Sequence, residues 1–135
     1  MQIEKRKMIG IVGGMGPYAG LDLVRKIFDL TQANQAQDHV PLTMISVPHK
    51  ITDRTKFLEG ETDINPGIEI SNIVRQLSDQ GASVIGMPCN TAHHWHHDLQ
   101  KKIKVPIISM PKEVYLHTKK TCKKNSKIGI ICTAA

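Results

Sequence analysis

Several features are scarce or absent in this 135-residue chain, and each such observation argues against one class of protein. No apolar run approaches the roughly 20 residues of a membrane span, so we expect no transmembrane helix. The amino terminus lacks a long apolar region and a small-residue cleavage site, which favours a strand with a polar leader over a signal peptide. The three cysteines are an odd number without CxxC spacing. They argue against a disulfide framework and for reduced thiols in the cytoplasm.

Aromatic residues are also few, at 4%, yet the 40% hydrophobic content suits one globular domain with a core. The formal charge of +6 is unevenly placed, because nine lysines and a single acidic residue, Glu113, lie between Lys101 and Lys127. That region has no arginine, and Tyr115 is its only aromatic residue. Since nucleic-acid surfaces usually combine basic and aromatic side chains, a solvated lysine-rich face is the favoured interpretation. Neither nucleic acid nor a membrane is predicted as a partner.

Apolar runs and helical periodicities alternate along the chain. Strands are predicted over residues 7–12, 41–47, 83–87, 105–109 and 127–132. Helices are predicted over residues 18–33, 66–80, 91–102 and 112–123, and residues 48–60 are predicted to form a loop. This order predicts the α/β class, with a three-layer arrangement of a parallel sheet and helices on both faces. Because no helix follows the last predicted strand before the sequence stops at Ala135, the sequence is expected to stop at the start of a second unit.

Local signals place the first two helices more closely. Pro17 suits the first turn of one helix, and Asn65-Pro66 provides an N-cap and a first-turn proline for the next. Gly81 is expected to end the second helix as a C′ glycine. The expected apolar faces are Leu21, Val24, Ile27 and Phe28 in the first helix, and Ile70, Ile73, Val74 and Leu77 in the second.

The stretch Val84–His97, VIGMPCNTAHHWHH, carries the clearest signal for chemistry. It predicts a buried strand, a turn that contains Cys89, and a helix from Thr91 with Asn90 as its N-cap. Cys89 would lie where free backbone N–H groups and the helix dipole favour an anion. This environment favours the thiolate, which acts as a base or nucleophile. Position alone does not separate that role from the role of a small buried hydrophobe.

The segment GGMGPYAG follows the first predicted strand and opens a helix, as a dinucleotide-binding turn does. Gly14, Gly16 and Gly20 are spaced G-x-G-x-x-x-G, one residue longer than the usual fingerprint. The acidic residue expected after the second strand is missing, because that region reads ISVPHK. These differences argue against a nucleotide cofactor. They leave a plain tight turn, or backbone amides that face a small anion such as a carboxylate.

Two more groups of residues lie near this expected ligand edge. Four histidines suggest a metal, namely His93, His94, His96 and His97. No additional ligand is evident, and zinc usually needs three or four, so no metal site is predicted. His93 is expected to point back towards the helix start and to hydrogen-bond near Cys89. Arg54 lies in the predicted loop, where it would either clamp a carboxylate or be an ordinary surface residue.

Four stretches of the chain together resemble one family, the cofactor-independent aspartate/glutamate racemases, and in particular the aspartate racemase branch. They are IGIVGGMGP at the first strand, ITDRT in the following loop, MPCNTAH at the third strand and KVPIISM after it. These stretches span essentially the whole chain in the family's order. PCNTAH is specific to the family, whereas the glycine turn alone would not be.

The resemblance implies two similar, pseudo-symmetric α/β domains with the active site in the cleft between them. Cys89 would be one of two catalytic cysteines that interconvert L- and D-aspartate, or a similar small acidic amino acid, by exchange of the α-proton. Neither pyridoxal phosphate nor a metal would take part. By the same resemblance, the substrate-binding residues are Met15 and Gly16 in the pocket wall, Asn90 and Thr91 at the α-carboxylate, and Arg54 at the side-chain carboxylate.

The family's second cysteine lies in a Gly-Cys-Thr motif that neither Cys122 nor Cys132 matches. Residues 1–111 are therefore expected to form the N-terminal racemase domain, and residues 112–135 the crossover helix and opening strand of a truncated second domain.

Three functions stay open: a racemase completed by another chain, an incomplete fragment that binds a dicarboxylate or a partner chain, and a one-cysteine decarboxylase or cis–trans isomerase. A homodimer would cover the open strand edge and the half cleft.

Overall fold

The computed structural model describes residues 6–132, in which three parallel strands form a sheet in the order β2-β1-β3. The strands are β1 (Met8–Val12), β2 (Leu42–Ile45) and β3 (Ala82–Gly86). The α-helices are α1 (Pro17–Leu30), α2 (Arg54–Leu58), α3 (Pro66–Asp79), α4 (His96–Gln100) and α5 (Met110–Thr121). The predicted α/β fold with a parallel sheet is confirmed. The predicted polar leader at residues 1–5, and residues 133–135, lie outside the described residues.

Helix α3 covers one face of the sheet with the apolar stripe that the sequence predicts. The stripe is fully or almost fully buried and consists of Ile70, Ile73, Val74 and Leu77. The Oδ1 atom of Asn65 accepts the backbone N–H of Gly67 at 2.8 Å, so the predicted N-cap is present. Gly81 follows the helix with φ +92°, a conformation that glycine adopts without a steric penalty.

Helix α1 lies on the other face and covers it less completely. Gly20 is buried there, and a β-carbon built on it would lie 2.9 Å from Met44 Sδ, so α1 approaches β2 closely at this position and a larger residue would displace the Met44 side chain. The predicted apolar face of α1 is only partly correct, because Val24 and Ile27 are half-buried whereas Leu21 and Phe28 are exposed. An apolar groove of about 310 Å³ lies between α1 and the start of α5.

The strand predicted over residues 105–109 is wrong, since only Ile107 forms a bridge, with Ile85 of β3. The backbone N–H and carbonyl of Ile85 make bonds of 2.9 and 2.8 Å to this segment. On the outer side, Gln100 Oε1 accepts the N–H of Ile107 at 2.8 Å, and His96 Nε2 lies 2.8 Å from its carbonyl oxygen. Side chains of α4 therefore satisfy backbone groups that a further strand would otherwise pair.

The strand predicted over residues 127–132 is also wrong, because these residues are exposed and pair with no strand in residues 6–132. An apolar run becomes a strand only when a neighbour satisfies its backbone groups. The preceding lysine-rich helix is present as α5, and the nine lysines of the region are all exposed, as predicted for a solvated face. Within the described residues, no helix has the length and apolar character needed to span a membrane.

Candidate functional site

Three segments that follow the carboxyl ends of the strands meet at one edge of the sheet. They are residues 13–16 after β1, residues 46–58 after β2 and residues 87–95 after β3. Arg54 Nη2 donates to the carbonyl oxygen of Met15 at 3.4 Å, and the rings of Phe57 and Trp95 lie 5.9 Å apart. The sequence patterns did not indicate these two aromatic residues as part of the site. Aromatic residues are scarce in this chain, and this scarcity could have drawn attention to both positions.

The glycine turn brings the backbone after β1 close to the backbone after β2. Gly14 has φ +89°, and a β-carbon built on it would lie 3.2 Å from the backbone nitrogens of Val47 and Pro48. This position therefore requires glycine on both conformational and steric grounds. Met15 is buried, whereas Gly16 is exposed at the start of α1 with open space around its α-carbon.

Arg54 is the first residue of the short helix α2, which corrects the loop predicted over residues 48–60. Asp53 is the N-cap, and its Oδ1 accepts the backbone N–H groups of Thr55 at 2.8 Å and Lys56 at 3.1 Å. These bonds, with that of Lys56 the larger influence, lower the pKa of the Asp53 carboxyl below its usual value. A five-residue helix is too short to show a periodic apolar pattern, so the sequence did not reveal it.

The guanidinium of Arg54 is half-buried beside the glycine turn. Besides the bond to Met15, its Nη1 donates to the carbonyl oxygen of Thr52 at 3.5 Å. Its Nε is buried, and no hydrogen-bond partner for it lies among residues 6–132. Two neighbouring carbonyl oxygens therefore position the positively charged guanidinium of Arg54 next to the turn that contains Met15 and Gly16.

Cys89 is half-buried in a tight turn directly after β3, where its N–H donates to the carbonyl oxygen of Met87 at 2.8 Å. The N-cap predicted at Asn90 is wrong: this residue has helical φ −61° and ψ −50°, and its side chain makes no cap bond. An N-cap needs extended dihedrals for its side chain to reach the first turn. The helix predicted from Thr91 begins as a 3₁₀ helix, and α4 begins only at His96.

The free N–H groups predicted at this turn are present in part. The N–H of Cys89 is engaged, whereas those of Asn90 and Thr91 find no acceptor in the part of the chain that the structure describes. The hydrogen bond predicted for His93 is present, since its Nδ1 lies 2.7 Å from the carbonyl oxygen of Cys89. Its Nε2 accepts the backbone N–H of Met110 at 3.0 Å, a contact that sequence spacing did not indicate.

The remaining histidines do not gather around one point. His96 is engaged with a carbonyl of the segment before α5, and His94 and His97 are exposed. Across residues 6–132, no group of three His, Cys, Asp or Glu side chains is arranged to hold a metal ion. The apolar groove includes Met87 and Pro88 in its lining but not Cys89, so it lies beside the thiol.

Comparisons with known proteins point to one family. Residues 12–135 match the family model described as Asp/Glu/Hydantoin racemase. The broad specificity amino-acid racemase of Bacillus subtilis (strain 168) is 28% identical over 129 residues, which cover 90% of this chain and 54% of that relative.

Solved structures agree with this match. An aspartate racemase from Picrophilus torridus matches with a TM-score of 0.73 and 33% identity, over 85% of this chain and 48% of that one. An aspartate racemase homologue from Pyrococcus horikoshii OT3 matches with a TM-score of 0.68 and 24% identity, over 84% of this chain and 49% of that one, which shows a shared fold. The chain thus spans about half the length of the relatives that it matches.

Proposed function

The chain belongs to the Asp/Glu/hydantoin racemase family, and on this premise we propose that it supplies the first catalytic thiol of an amino-acid racemase. The proposed substrate is aspartate or a similar small acidic amino acid. The observation that carries the proposal is the place of Cys89, half-buried in the turn after β3 at the edge where three segments meet. Thiols suit this chemistry because they gain and lose a proton close to neutral pH.

The proposed substrate contacts follow from the groups around this thiol. Arg54 is held at the Met15 carbonyl, and a guanidinium binds a carboxylate through two parallel hydrogen bonds, so it is assigned to the side-chain carboxylate. The backbone N–H groups of Asn90 and Thr91 are assigned to the α-carboxylate. Met15 and Gly16 are assigned to the pocket wall. Two carboxylate contacts of this kind would select dicarboxylic amino acids.

In the proposed reaction, the thiolate of Cys89 removes the proton from the α-carbon, and the electron pair stays on the substrate. Donors around the α-carboxylate stabilise the resulting carbanionic charge. A second thiol on the opposite face then gives a proton to the α-carbon, and the configuration inverts. The proposal assigns no role to pyridoxal phosphate or to a metal. A single Cys89 thiol can exchange the α-proton on one face, whereas inversion needs both faces.

The second thiol is proposed to lie in a second racemase domain, because the chain spans only about half the length of its relatives. In this arrangement residues 1–111 are the N-terminal racemase domain, and residues 112–135 are the crossover helix and opening strand of the next. A homodimer is the alternative source of a facing thiol. We place the protein in the cytoplasm, where free thiols such as Cys89, Cys122 and Cys132 stay reduced.

Deuterium exchange tests the proposal directly. The purified chain is incubated with L- or D-aspartate in heavy water, and deuterium at the α-carbon is followed together with optical rotation. We expect wash-in that falls at least about 100-fold in Cys89→Ala, the usual loss when a general acid or base is removed. Cys122→Ser is the matched control and should exchange like the wild type, because this thiol is exposed and distant in sequence from the turn.

Each result of this experiment bears on a stated part of the proposal. Wash-in with inversion would support a facing thiol from a second copy, and wash-in on one enantiomer without inversion would support Cys89 as a lone base. Wash-in that survives Cys89→Ala would refute the assignment of the thiol. A folded chain that binds aspartate without any exchange would refute catalysis by this chain and leave a binding function.

A further inference from the structure

The side chain of His93 bridges two backbone segments at the candidate site. Its Nδ1 lies 2.7 Å from the carbonyl oxygen of Cys89, in the turn after β3. Its Nε2 lies 3.0 Å from the backbone nitrogen of Met110, the first residue of α5. One imidazole ring therefore joins the turn that bears the thiol to the beginning of a helix 17 residues further along the chain.

The two partners determine where the ring carries its proton. A backbone N–H only donates, so Nε2 must offer its lone pair to Met110. A carbonyl oxygen only accepts, so Nδ1 must carry the hydrogen that is donated to Cys89. The neutral ring with hydrogen on Nδ1 satisfies both bonds. The other neutral form would set N–H against N–H and a lone pair against the carbonyl oxygen.

A second histidine restrains the ring from the side. The rings of His93 and His96 are stacked, with centroids 5.8 Å apart and planes 10° from parallel. His96 Nε2 lies 2.8 Å from the carbonyl oxygen of Ile107, in the same segment that leads into α5. His93 is half-buried in this arrangement, and the stacked ring of His96 limits its rotation.

We propose that His93, in its Nδ1–H form, is a positioning residue for the Cys89 thiol. This inference rests on the proposed function, in which Cys89 is the acid/base of the racemase. The bond from Nδ1 holds the carbonyl of the residue that bears the thiol, and the bond to Nε2 separately ties the same ring to the beginning of α5. The thiol is thus oriented through its own backbone.

The first test is spectroscopic and does not depend on turnover. A long-range proton–nitrogen correlation spectrum of the ¹⁵N-labelled protein distinguishes the protonated from the unprotonated ring nitrogen of each histidine. For His93 we expect hydrogen on Nδ1 and a lone pair on Nε2. The reverse pattern, or the averaged signals of a freely exchanging ring, would overturn the proposal.

The second test separates the two bonds with two variants. In His93→Asn, the amide nitrogen can replace Nδ1, which keeps the donor to Cys89 but removes the acceptor for Met110. In His93→Gln, the longer side chain places its amide oxygen near Nε2, which keeps the acceptor and removes the donor. The readouts are the alkylation rate of Cys89 in a Cys122→Ser/Cys132→Ser background and the amide exchange rate of Met110.

We expect a reciprocal result. His93→Gln should change Cys89 alkylation by up to about tenfold, the scale of one hydrogen bond, and leave Met110 exchange near that of the parent protein. His93→Asn should do the opposite, and His97→Asn, the matched control, should change neither. Equal effects of both His93 variants on both readouts would reduce His93 to a structural residue and overturn the proposal.

The outcomes also separate this inference from the proposed function. If the reciprocal pattern holds while Cys89→Ala leaves deuterium exchange unchanged, the link from His93 to the turn stands and the racemase assignment of Cys89 falls. If deuterium exchange depends on Cys89 but the reciprocal pattern is absent, the racemase proposal stands and the positioning role of His93 falls.

Discussion

Replacement of Gly67 by alanine is expected to destabilise the protein, although alanine is the better helix former. Gly67 lies in the first turn of α3, and a β-carbon built on it would lie 2.6 Å from Nε1 of Trp95, which is buried in the segment after Cys89. The gain in helix propensity is at most about 1 kcal/mol. Overpacking of a rigid ring costs about 1–3 kcal/mol, and such a short contact belongs in the upper half of that range. We expect a net loss of about 1–2 kcal/mol in the free energy of unfolding.

Urea unfolding followed by far-UV circular dichroism measures this loss, and the fluorescence of Trp95, the single tryptophan, reports its displacement. Gly129→Ala is the matched control, because no atom lies within 4 Å of a β-carbon built there, and its effect should stay within about 0.5 kcal/mol. The double change with Trp95→Ala tests the cause, since alanine lacks both ring atoms, Cδ1 and Nε1, that lie nearest to the added β-carbon. If Gly67→Ala costs the same in the Trp95→Ala background, steric contact with the indole is not the reason for the loss.

Two further changes test the fold and the helix that carries Arg54. Leu77→Ala should lower the free energy of unfolding by about 2–5 kcal/mol because this side chain is fully buried, whereas Leu30→Ala, at an 84% exposed position, should change it by less than about 0.5 kcal/mol in the same urea titration. The lowered pKa of Asp53 means that its stabilisation of α2 is complete above the pKa of the unfolded carboxyl and is lost as the pH falls through the folded value. Amide protection of the first turn of α2 should therefore decrease in acid in the wild type; an equally steep decrease in Asp53→Asn would contradict this assignment.

The strongest sequence predictions concerned features with a local physical cause. The Asn65 cap, the Gly81 ending and the buried stripe of α3 depend on residues a few positions apart, so the sequence contains their whole explanation. The motif that contains Cys89 pointed to the correct family, because its residue types occur together in one short stretch. The hydrogen bond from His93 to Cys89 is also local, since one helical turn separates the two residues.

The two wrong strand predictions concerned features that depend on distant partners. Residues 105–109 have the composition of a strand but pair with β3 only at Ile107, and on the other side Gln100 and His96 bind the backbone of Ile107 where a further strand would pair. Residues 127–132 are apolar yet pair with nothing among the described residues. Strand formation needs a neighbour, and a one-dimensional pattern does not show whether a neighbour is present.

The sequence by itself determined the class of the fold, the places of α1 and α3, and the family. Only the tertiary structure decided that Arg54 donates to the Met15 carbonyl and that His93 contacts the backbone nitrogen of Met110. The physical reason is the same in both cases. A hydrogen-bond partner far away along the chain sets the orientation of a side chain, and only folding brings that partner within reach.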